Sequence, residues 1–246
     1  MTNEVDPKSP IGSFELPRGY LLEKEDGTFA ILPYVQLKEM TGVEEDMLLS
    51  SNKMSDVMKD IARNCIIRFY DDHGNEVEDM SRFDHKILMC DFYTILLRLR
   101  QVTLGSEFIA CFDCEACGNK NYIPWDLSVQ KIVKSQFTGD KQTIELETSR
   151  GNKVEWRPLH ASSETDINKK RMFTGLLMNR VFLLNEGRAT EDSLRNLSFV
   201  ERKEIREQFK SEGNIDFSME SECKKCGADV SNTLSVYDVN FWGLGG

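Results

Sequence analysis

The sequence predicts a mixed α+β fold in which one small β unit is divided between distant parts of the chain. Two Cys-x2-Cys-Gly motifs, at 114–118 and 223–227, each lie between segments whose apolar and polar residues alternate as in β-strands. At 53–66, by contrast, apolar residues recur three and four positions apart, as on one face of a helix. The chain has 246 residues, 40% hydrophobic and 29% charged, which is the composition of a soluble globular protein with a proper core.

The N-terminal region is predicted to be helical beyond an initial arm and a hairpin. Residues 1–14 show no periodicity, and we place the whole arm at 1–19. Asp26-Gly27 supplies the positive φ of a tight turn and predicts a hairpin between 20–24 and 28–32. The further elements expected here are a helix at 53–66, a strand at 66–70 and a helix from after Asp84 to about Gln101.

Each Cys-x2-Cys-Gly motif has the layout of a zinc knuckle. Such a turn aims two thiolates at one metal ion, and the glycine relieves the tight backbone. Two knuckles that face each other supply the four sulfurs that tetrahedral Zn²⁺ prefers. The predicted ligands of this structural zinc are Cys114, Cys117, Cys223 and Cys226. The expected fold is therefore α+β with a split zinc ribbon, a helical N-terminal region and an inserted region of one hairpin and helices.

The distance between the two knuckles is unusual, because 105 residues separate Cys117 from Cys223. A compact ribbon has roughly 15–20 residues there. Closing so long a loop costs about 4 kcal/mol, whereas structural zinc contributes on the order of 10–16 kcal/mol in small peptides. One shared site is therefore physically reasonable. We place an N-terminal α+β region with the first knuckle at 20–127, the inserted region at 128–214, and the second knuckle with the tail at 215–246.

The inserted region is predicted to contain one hairpin followed by helices. Its elements are strands at 143–147 and 153–157 around Gly151-Asn152, a helix at 169–184, and a helix that a capping box at Ser198 and Glu201 opens and Gly213 ends. The knuckles outside the inserted region are flanked by predicted strands. In the first knuckle, one strand leads in at 108–112 and one leads out at 121–127. The second knuckle has a strand in at 215–219 and a strand out at 234–236.

Several alternatives to a shared zinc site remain open at this point. Each cysteine pair could act alone as a redox pair, although such pairs usually open a helix and these follow strands. Iron could use the same four sulfurs. Cys111 could replace Cys114, but Gly118 and the symmetry with the second knuckle favour Cys114. Cys65 and Cys90 lie among apolar positions of predicted helices, which favours a packing role.

The charge and the cysteine content limit the class of protein. A net charge of −10 and a pI near 5.0 argue against a surface that follows nucleic-acid phosphates. No apolar run approaches the roughly 18 residues of a membrane span, and the polar start at 1–7 is not that of a secretory signal. Seven cysteines without an export signal favour a reducing compartment and metal ligation over disulfides.

Little in the sequence favours catalysis. Four thiolates leave no open position on a zinc ion, whereas a catalytic zinc keeps one for water. His73, His85 and His160 are scattered and lack ligand spacing, so each is expected at the surface or in a turn. The acidic runs at 44–46 and 76–79 are expected on solvated faces or in loops. We expect a protein that is not an enzyme. A zinc-dependent enzyme would need an essential residue other than cysteine near the site.

The order of these features resembles the small baseplate hub and hub-assembly proteins of contractile-tailed, T-even-like bacteriophages. The segments that carry the resemblance are Leu16-Pro17, 37–46, the helix end at 97–100 before 104–108, the two distant knuckles and the aromatic Phe241-Trp242. The resemblance implies a non-enzymatic structural or assembly role in the tail baseplate. It also implies other hub proteins as partners, and a location in the virion, in the host cytoplasm during assembly, or in both.

Two further points remain open from the residues alone. Phe241-Trp242 is a candidate interface anchor, since aromatic residues often anchor interfaces, but it could equally pack on its own domain. The competing function is a nucleic-acid-binding zinc-ribbon accessory factor. Lys120, Lys224 and Lys225 offer positive charge near the knuckles and Tyr122 and Trp125 a stacking surface, but nearby carboxylates cancel the charge.

Overall fold

The N-terminal part of the chain folds as a four-stranded antiparallel sheet in the order β1-β2-β3-β4. Its strands are β1 (Ile11–Glu23), β2 (Phe29–Lys38), β3 (Ile66–Tyr70) and β4 (Glu76–Val77). The computed structural model describes residues 11–50, 53–137, 142–163 and 173–244. The predicted hairpin around Gly27, which has φ +78°, and the predicted strand at 66–70 are confirmed.

Helices accompany this sheet, and the longest of them packs against β1 and β2. They are α1 (Gly42–Ser50), α2 (Met54–Cys65), α3 (Phe83–Lys86) and α4 (Met89–Leu104). The predictions of α2 and of the longer helix α4 are confirmed, although α4 begins later than expected. The helical part of the N-terminal region is confirmed, but β1 and β2 are longer than the predicted hairpin and pair along most of their length. β1 also begins at Ile11, inside the predicted arm, whose residues 1–10 lie outside the described residues.

One residue of the first acidic run departs from the expected solvated face, whereas Glu45 and Asp46 are exposed as predicted. Glu44 in α1 is buried, and its carboxylate accepts hydrogen bonds from the backbone N–H and hydroxyl of Thr41 and from the amide of Asn64. These bonds lower its pKa although burial alone would raise it. Glu44 therefore closes the start of α1 against α2.

The helix α4 is the centre of the fold, and a distortion in β1 holds its start. The β1–β2 register shifts between Glu15 and Tyr20. There the backbone N–H groups of Arg18 and Gly19 donate to the buried carboxylate of Asp91, at 2.7 and 3.0 Å. Asp91 also accepts from the N–H of Leu88 and so caps α4. Gly19 has φ +107°, and a Cβ there would lie 2.3 Å from the carbonyl oxygen of Leu32, so the bulge requires glycine.

Two separate β-ribbons follow α4 at distant points in the chain. The first consists of β5 (Glu107–Asp113) and β6 (Lys120–Asp126), and a short β7 (Ile132–Val133) lies beyond it. The second consists of β13 (Ser218–Glu222) and β14 (Asp229–Thr233), and β12 (Asn214–Ile215) before it pairs with β7. The strands at 108–112 and 121–127 are confirmed. The second ribbon ends at Thr233, so Leu234 and Val236 are buried beyond the strand rather than in it.

The chain between the two ribbons contains a second four-stranded antiparallel sheet, in the order β11-β10-β9-β8. Its elements in chain order are β8 (Ile144–Glu147), β9 (Lys153–Trp156), α5 (Phe173–Met178), β10 (Val181–Leu184), β11 (Gly187–Arg188), α6 (Glu191–Arg195) and α7 (Phe199–Gln208). The hairpin and the capping box that opens α7 at Ser198 and Glu201 are confirmed, and Gly213 has the expected positive φ.

The helix predicted at 169–184 is wrong over its last part. Residues 169–172 lie outside the described residues, Phe173–Met178 is helical, and 181–184 forms β10. Asn185 and Glu186 both have positive φ, at 50° and 68°, and form the two-residue turn of a β10–β11 hairpin. The apolar run at 181–184 therefore matches a strand as well as a helix, and the turn decides which one forms.

Two hydrophobic cores result. The larger surrounds α4 and continues between the two ribbons, and the smaller lies under the second sheet around Trp156. Cys65 packs in the larger core and Cys90 in the smaller one, which confirms their predicted packing role. Burial raises the pKa of the Cys65 thiol to about 12. Both cysteines therefore act as packed core residues.

Candidate metal centre

The two cysteine motifs form matching turns at the ends of the two ribbons. In the β5–β6 turn, the N–H of Gly118 donates to the carbonyl of Cys114 at 2.8 Å, and the N–H of Cys114 donates to the carbonyl of Asn119 at 3.0 Å. In the β13–β14 turn, Gly227 and Cys223 make the corresponding bonds at 2.9 and 2.8 Å. Both glycines have positive φ, at 68° and 72°. The two turns therefore have the same backbone geometry, as the sequence symmetry predicted.

The structure brings the four predicted cysteines together. The Sγ atoms of Cys114, Cys117, Cys223 and Cys226 all lie within 4.8 Å of one another. Cys114 Sγ lies 3.6 Å from Cys226 Sγ, and Cys117 Sγ lies 3.7 Å from Cys223 Sγ. Each of these short distances joins one turn to the other. The four cysteines are thus close enough to bind one metal ion.

The spacing of the sulfurs can be tested against metal and disulfide chemistry. Four sulfurs at about 2.3 Å from a central zinc ion would lie roughly 3.8 Å apart. The two distances of 3.6 and 3.7 Å are close to this value. A disulfide would need about 2.05 Å, and all four cysteines are free thiols. The donor set therefore fits a tetrahedral thiolate site.

Cys111 lies outside this group. Its side chain is exposed on β5, directly across from Tyr122 on β6. Since neighbouring residues of a strand face opposite sides, Phe112 points into the core while Cys111 points to solvent. Among the described residues, the four clustered thiols form the one group of His, Cys, Asp and Glu side chains that could share an ion. The geometry thus favours Cys114 over Cys111.

Sequence reasoning missed Asn121, which links the two turns. Its side chain is 1% exposed. The amide Nδ2 lies 3.6 Å from the sulfur of Cys223, and Oδ1 accepts a hydrogen bond from the backbone N–H of Lys224 at 3.0 Å. The corresponding position of the second turn is Val230, also buried. The signal that could have identified Asn121 is the difference between the two turns, since a polar asparagine stands where the second turn has a buried valine.

The hydrogen bonds within the cluster give its thiols different acidities. Backbone N–H groups of Cys226 and Lys225 donate to the sulfur of Cys223 and lower its pKa to about 6. The N–H of Asn119 favours the thiolate of Cys117, but hydrogen bonds with the neighbouring thiols and burial outweigh it and raise its pKa to about 12. Four adjacent thiolate charges would repel one another, and a bound metal cation would balance them.

The other residues that could carry chemistry lie elsewhere. His73 lies in the turn between β3 and β4, and His85 lies in α3. His160 is half-buried in a bridge with Leu88, where burial lowers its pKa to about 4. The aromatic tail packs on its own chain: Phe241 and Trp242 are buried, and Trp242 Nε1 donates to the carbonyl of Val236 at 2.9 Å. Of the two roles considered for the tail, the structure therefore shows packing on its own domain.

A comparison with models of protein families identifies the chain. The model described as "T4 bacteriophage base plate protein" matches residues 23–240. The chain belongs to this family. The resemblance to T4-like baseplate proteins is therefore confirmed. No curated protein and no solved structure matches the chain.

Membership of the T4 baseplate family supports a structural component of the phage baseplate. It implies interaction with other baseplate proteins and a location in the virion tail, and it suggests a role other than catalysis. In the part of the chain that the structure describes, the helices are too short or too polar to cross a bilayer. Both ribbons lie within the matched residues.

Proposed function

We propose that this baseplate protein is a component of the baseplate hub or a factor that assembles it, and that a structural zinc ion joins its two ribbons. The proposed ligands are Cys114, Cys117, Cys223 and Cys226. The observation that carries the proposal is the convergence of four thiols from turns 105 residues apart, in a chain of the baseplate family. The hub, rather than another part of the baseplate, is supported by the order of sequence motifs described above.

The chemistry of the site supports a structural ion over a catalytic one. Four thiolates complete a tetrahedral zinc site and leave no position for water or substrate. Bound zinc would join β5–β6 to β13–β14 and thereby close the chain on both sides of the inserted region. This cross-link makes the fold a split zinc ribbon. A protein that must keep its shape while neighbours assemble on it benefits from such a cross-link, because zinc coordination adds directly to folding free energy.

The surroundings of the turns do not favour nucleic-acid binding. Lys224 Nζ donates to the carbonyl of Tyr122 at 2.9 Å, so its charge is held against its own chain. Lys120 lies directly across the ribbon from Asp113. A phosphate-binding surface needs several uncompensated cations, and the whole chain carries a net charge of −10. The accessory-factor alternative is therefore less well supported.

The metal part of the proposal is tested by elemental analysis of the full-length protein purified under reducing conditions without added metal. We expect one zinc ion per chain. Visible absorption from iron–thiolate charge transfer would instead identify iron in the same site. A folded chain that contains neither metal, and does not gain stability when zinc is added, would contradict the structural-zinc proposal.

The hub part is tested independently in cells infected with the phage that encodes this protein. Baseplates and their assembly intermediates are purified and analysed by quantitative mass spectrometry. We expect the chain in hub intermediates, whether or not it remains in finished particles. Its presence only in peripheral baseplate intermediates, or its absence from all of them, would contradict the hub proposal while leaving the metal result intact.

A further inference from the structure

The outward face of the first ribbon carries a group of exposed apolar side chains. Ile109 on β5 is 67% exposed and Tyr122 on β6 is 59% exposed. Ile109 pairs across the ribbon with Pro124, and Cys111 pairs with Tyr122, so the four side chains form two adjacent rows on one face. Cys111 and Pro124 are exposed as well. The opposite face of the ribbon is buried in the core. The outward face is exposed and is therefore available to another molecule.

This face forms one wall of a groove of about 1250 Å³. The end of β14 and the segment after it, at 232–235, and Asp238 also line this groove. We call this the ribbon groove. Its volume exceeds the roughly 300–1,000 Å³ of typical small-molecule sites.

The charges in the ribbon groove are concentrated at one end. Glu107 and Asp126 form a cross-strand pair directly next to the row of Ile109. Two carboxylates directly opposite each other concentrate negative charge at this end. At the other end, Asp113 lies opposite Lys120, so the charges there compensate each other. The result is an acidic end followed by two apolar rows.

Hydrogen bonds hold this wall in place. The buried guanidinium of Arg100 donates to the carbonyls of Glu107 and Phe241, at 2.9 and 3.1 Å, and also to that of Gly105. Asn232 Nδ2 donates to the carbonyl of Cys111 at 3.3 Å, which ties the second ribbon to the first. A surface fixed in this way loses little conformational entropy when a partner binds.

We propose that the ribbon groove binds a segment of a partner protein that carries one basic side chain followed by apolar side chains two and four residues later. Rows of a ribbon are about 6.7 Å apart, which is the distance between residues i and i+2 of an extended chain. A lysine or arginine at position i lies over Glu107 and Asp126. Apolar residues at i+2 and i+4 lie over the Ile109 and Tyr122 rows. The inference rests on the proposed function, since it assigns one of the contacts that this protein makes with another protein of the baseplate.

A second copy of this chain fits the groove less well than a basic segment. Apart from Lys120, which faces Asp113, the exposed charged side chains of the groove are carboxylates. The chain itself has a net charge of −10, so association through this face would bring like charges together. A partner segment of opposite charge is instead attracted by Glu107, Asp126 and Asp238.

The test uses the full-length protein and a synthetic capped peptide, lysine-serine-valine-serine-leucine-serine, titrated at low salt and followed by NMR. A second peptide has glutamate in place of lysine. We expect the lysine peptide to shift resonances of β5, β6 and 232–235 and to bind at least ten-fold more tightly than the glutamate peptide. In the Glu107→Lys variant, where the introduced lysine would compensate Asp126, we expect this preference to fall to less than three-fold. A lysine peptide that shifts none of these resonances at millimolar concentration, or a preference unchanged in Glu107→Lys, would overturn the inference.

A matched pair of variants separates this surface from general surface hydrophobicity. Ile109 and Leu49 are both 67% exposed, and Leu49 lies on α1. We expect Ile109→Ser to weaken the lysine peptide at least five-fold and Leu49→Ser to leave its affinity unchanged. Equal effects would overturn the inference. A dimer in sedimentation that Ile109→Ser dissociates would overturn the choice of partner in favour of a second copy.

The peptide result and the tests of the proposed function fail independently. If the chain contains one zinc ion and joins hub intermediates but does not bind the lysine peptide, only the ribbon groove is wrong. If the peptide binds as expected but the chain is absent from baseplate intermediates, the hub role is wrong and the groove remains a binding surface. The zinc content is measured in the same samples, so metal-free preparations are recognised.

Discussion

The two hydrophobic cores of this protein are closed in different ways. The larger core joins segments far apart in the chain, and four thiols from two turns meet at its edge. The smaller core is built mainly from residues between Phe137 and Phe209, together with Leu88 and Cys90 of the α4 start. Hydrogen-bonded carboxylates close it: Glu201 accepts from Thr148 and Asn152, and Glu212 accepts from Arg180.

This difference indicates that the two parts respond to different conditions. Long-range closure costs chain entropy, which a metal cross-link offsets, whereas the smaller core closes over shorter loops. Metal removal at neutral pH should therefore loosen the ribbons first, whereas the carboxylates that close the smaller core make the inserted region depend on pH even when zinc content is unchanged. The two parts meet at the start of α4, where the N–H of Met89 donates to the carbonyl of Leu159 at 2.9 Å and the thiol of Cys90 donates to that of Glu212 at 3.0 Å.

The largest effect is expected from Cys226→Ser. Loss of one thiolate ligand should abolish stoichiometric zinc and destabilise the protein by on the order of 5 kcal/mol, or about 10–20 °C in melting temperature. This is less than in zinc peptides because packing still holds part of the ribbons. Hydrogen exchange should accelerate in both ribbons and much less in β8–β11. Cys111→Ser is the matched control. Retained zinc with unchanged melting in Cys226→Ser would contradict the metal-closed core.

Trp156→Ala should have the next largest effect, in the other core. Trp156 is fully buried and contacts the rings of Phe137 and Phe209, so its truncation should cost about 3–5 kcal/mol. Hydrogen exchange should accelerate in β8–β11, while the zinc content stays at one ion per chain. Trp156→Phe should cost less, because Nε1 makes no hydrogen bond to the described residues and only volume is lost. Loss of zinc in Trp156→Ala would show that the two cores are not separable.

Glu201 gives the inserted region a dependence on pH. Burial would raise its pKa, but hydrogen bonds from Asn152, Ser198 and Thr148 outweigh this and lower the pKa to about 2. A folded-state pKa below the unfolded value contributes stability above the unfolded pKa, and this stability is lost as pH falls towards 2. Glu201→Gln should therefore reduce the unfolding free energy by up to roughly 3 kcal/mol at pH 7, with a difference that shrinks below about pH 4.5.

Urea unfolding of Glu201→Gln and the parent protein at several pH values measures this difference. Glu45→Gln, a change at an exposed carboxylate of α1, serves as the control and should show no comparable pH dependence. A difference between Glu201→Gln and the parent that stays constant from pH 7 to pH 3 would contradict the proposed role of the carboxylate charge.

The sequence predicted those features that depend on short-range patterns. The turn at Asp26-Gly27, the helix α2 and the capping box at Ser198 each follow from residues a few positions apart, and the structure confirms them. The four cysteines were recognised because turn chemistry and ligand spacing are also local. Their meeting in space could be inferred only from the tetrahedral preference of the metal.

The features that were missed depend on tertiary contacts. β1 extends back to Ile11 because β2 offers it a partner as far as Lys38, which no pattern within 1–19 reveals. Glu44 is buried because Thr41 and Asn64 satisfy its oxygens, and only the fold places Asn64 there. The apolar run at 181–184 was assigned to a helix because periodicity alone does not separate short buried strands from helices.

Asn121→Val should produce the smallest effect, and it tests whether the two turns are equivalent. The change places at the first turn the residue that the second turn has at Val230. It removes the Nδ2 contact to the sulfur of Cys223 and leaves the N–H of Lys224 without its acceptor, which should cost about 1–2 kcal/mol in stability.

All four thiols remain, so zinc should still bind at one ion per chain. Loss of a contact that orients a ligand should nevertheless weaken zinc by about 10–100-fold in competition with a chelator. Lys120→Ala, a change at the exposed neighbour of Asn121 on β6, is the control. If both variants compete with the chelator as the parent protein does, Asn121 contributes only packing and the two turns hold the metal equally.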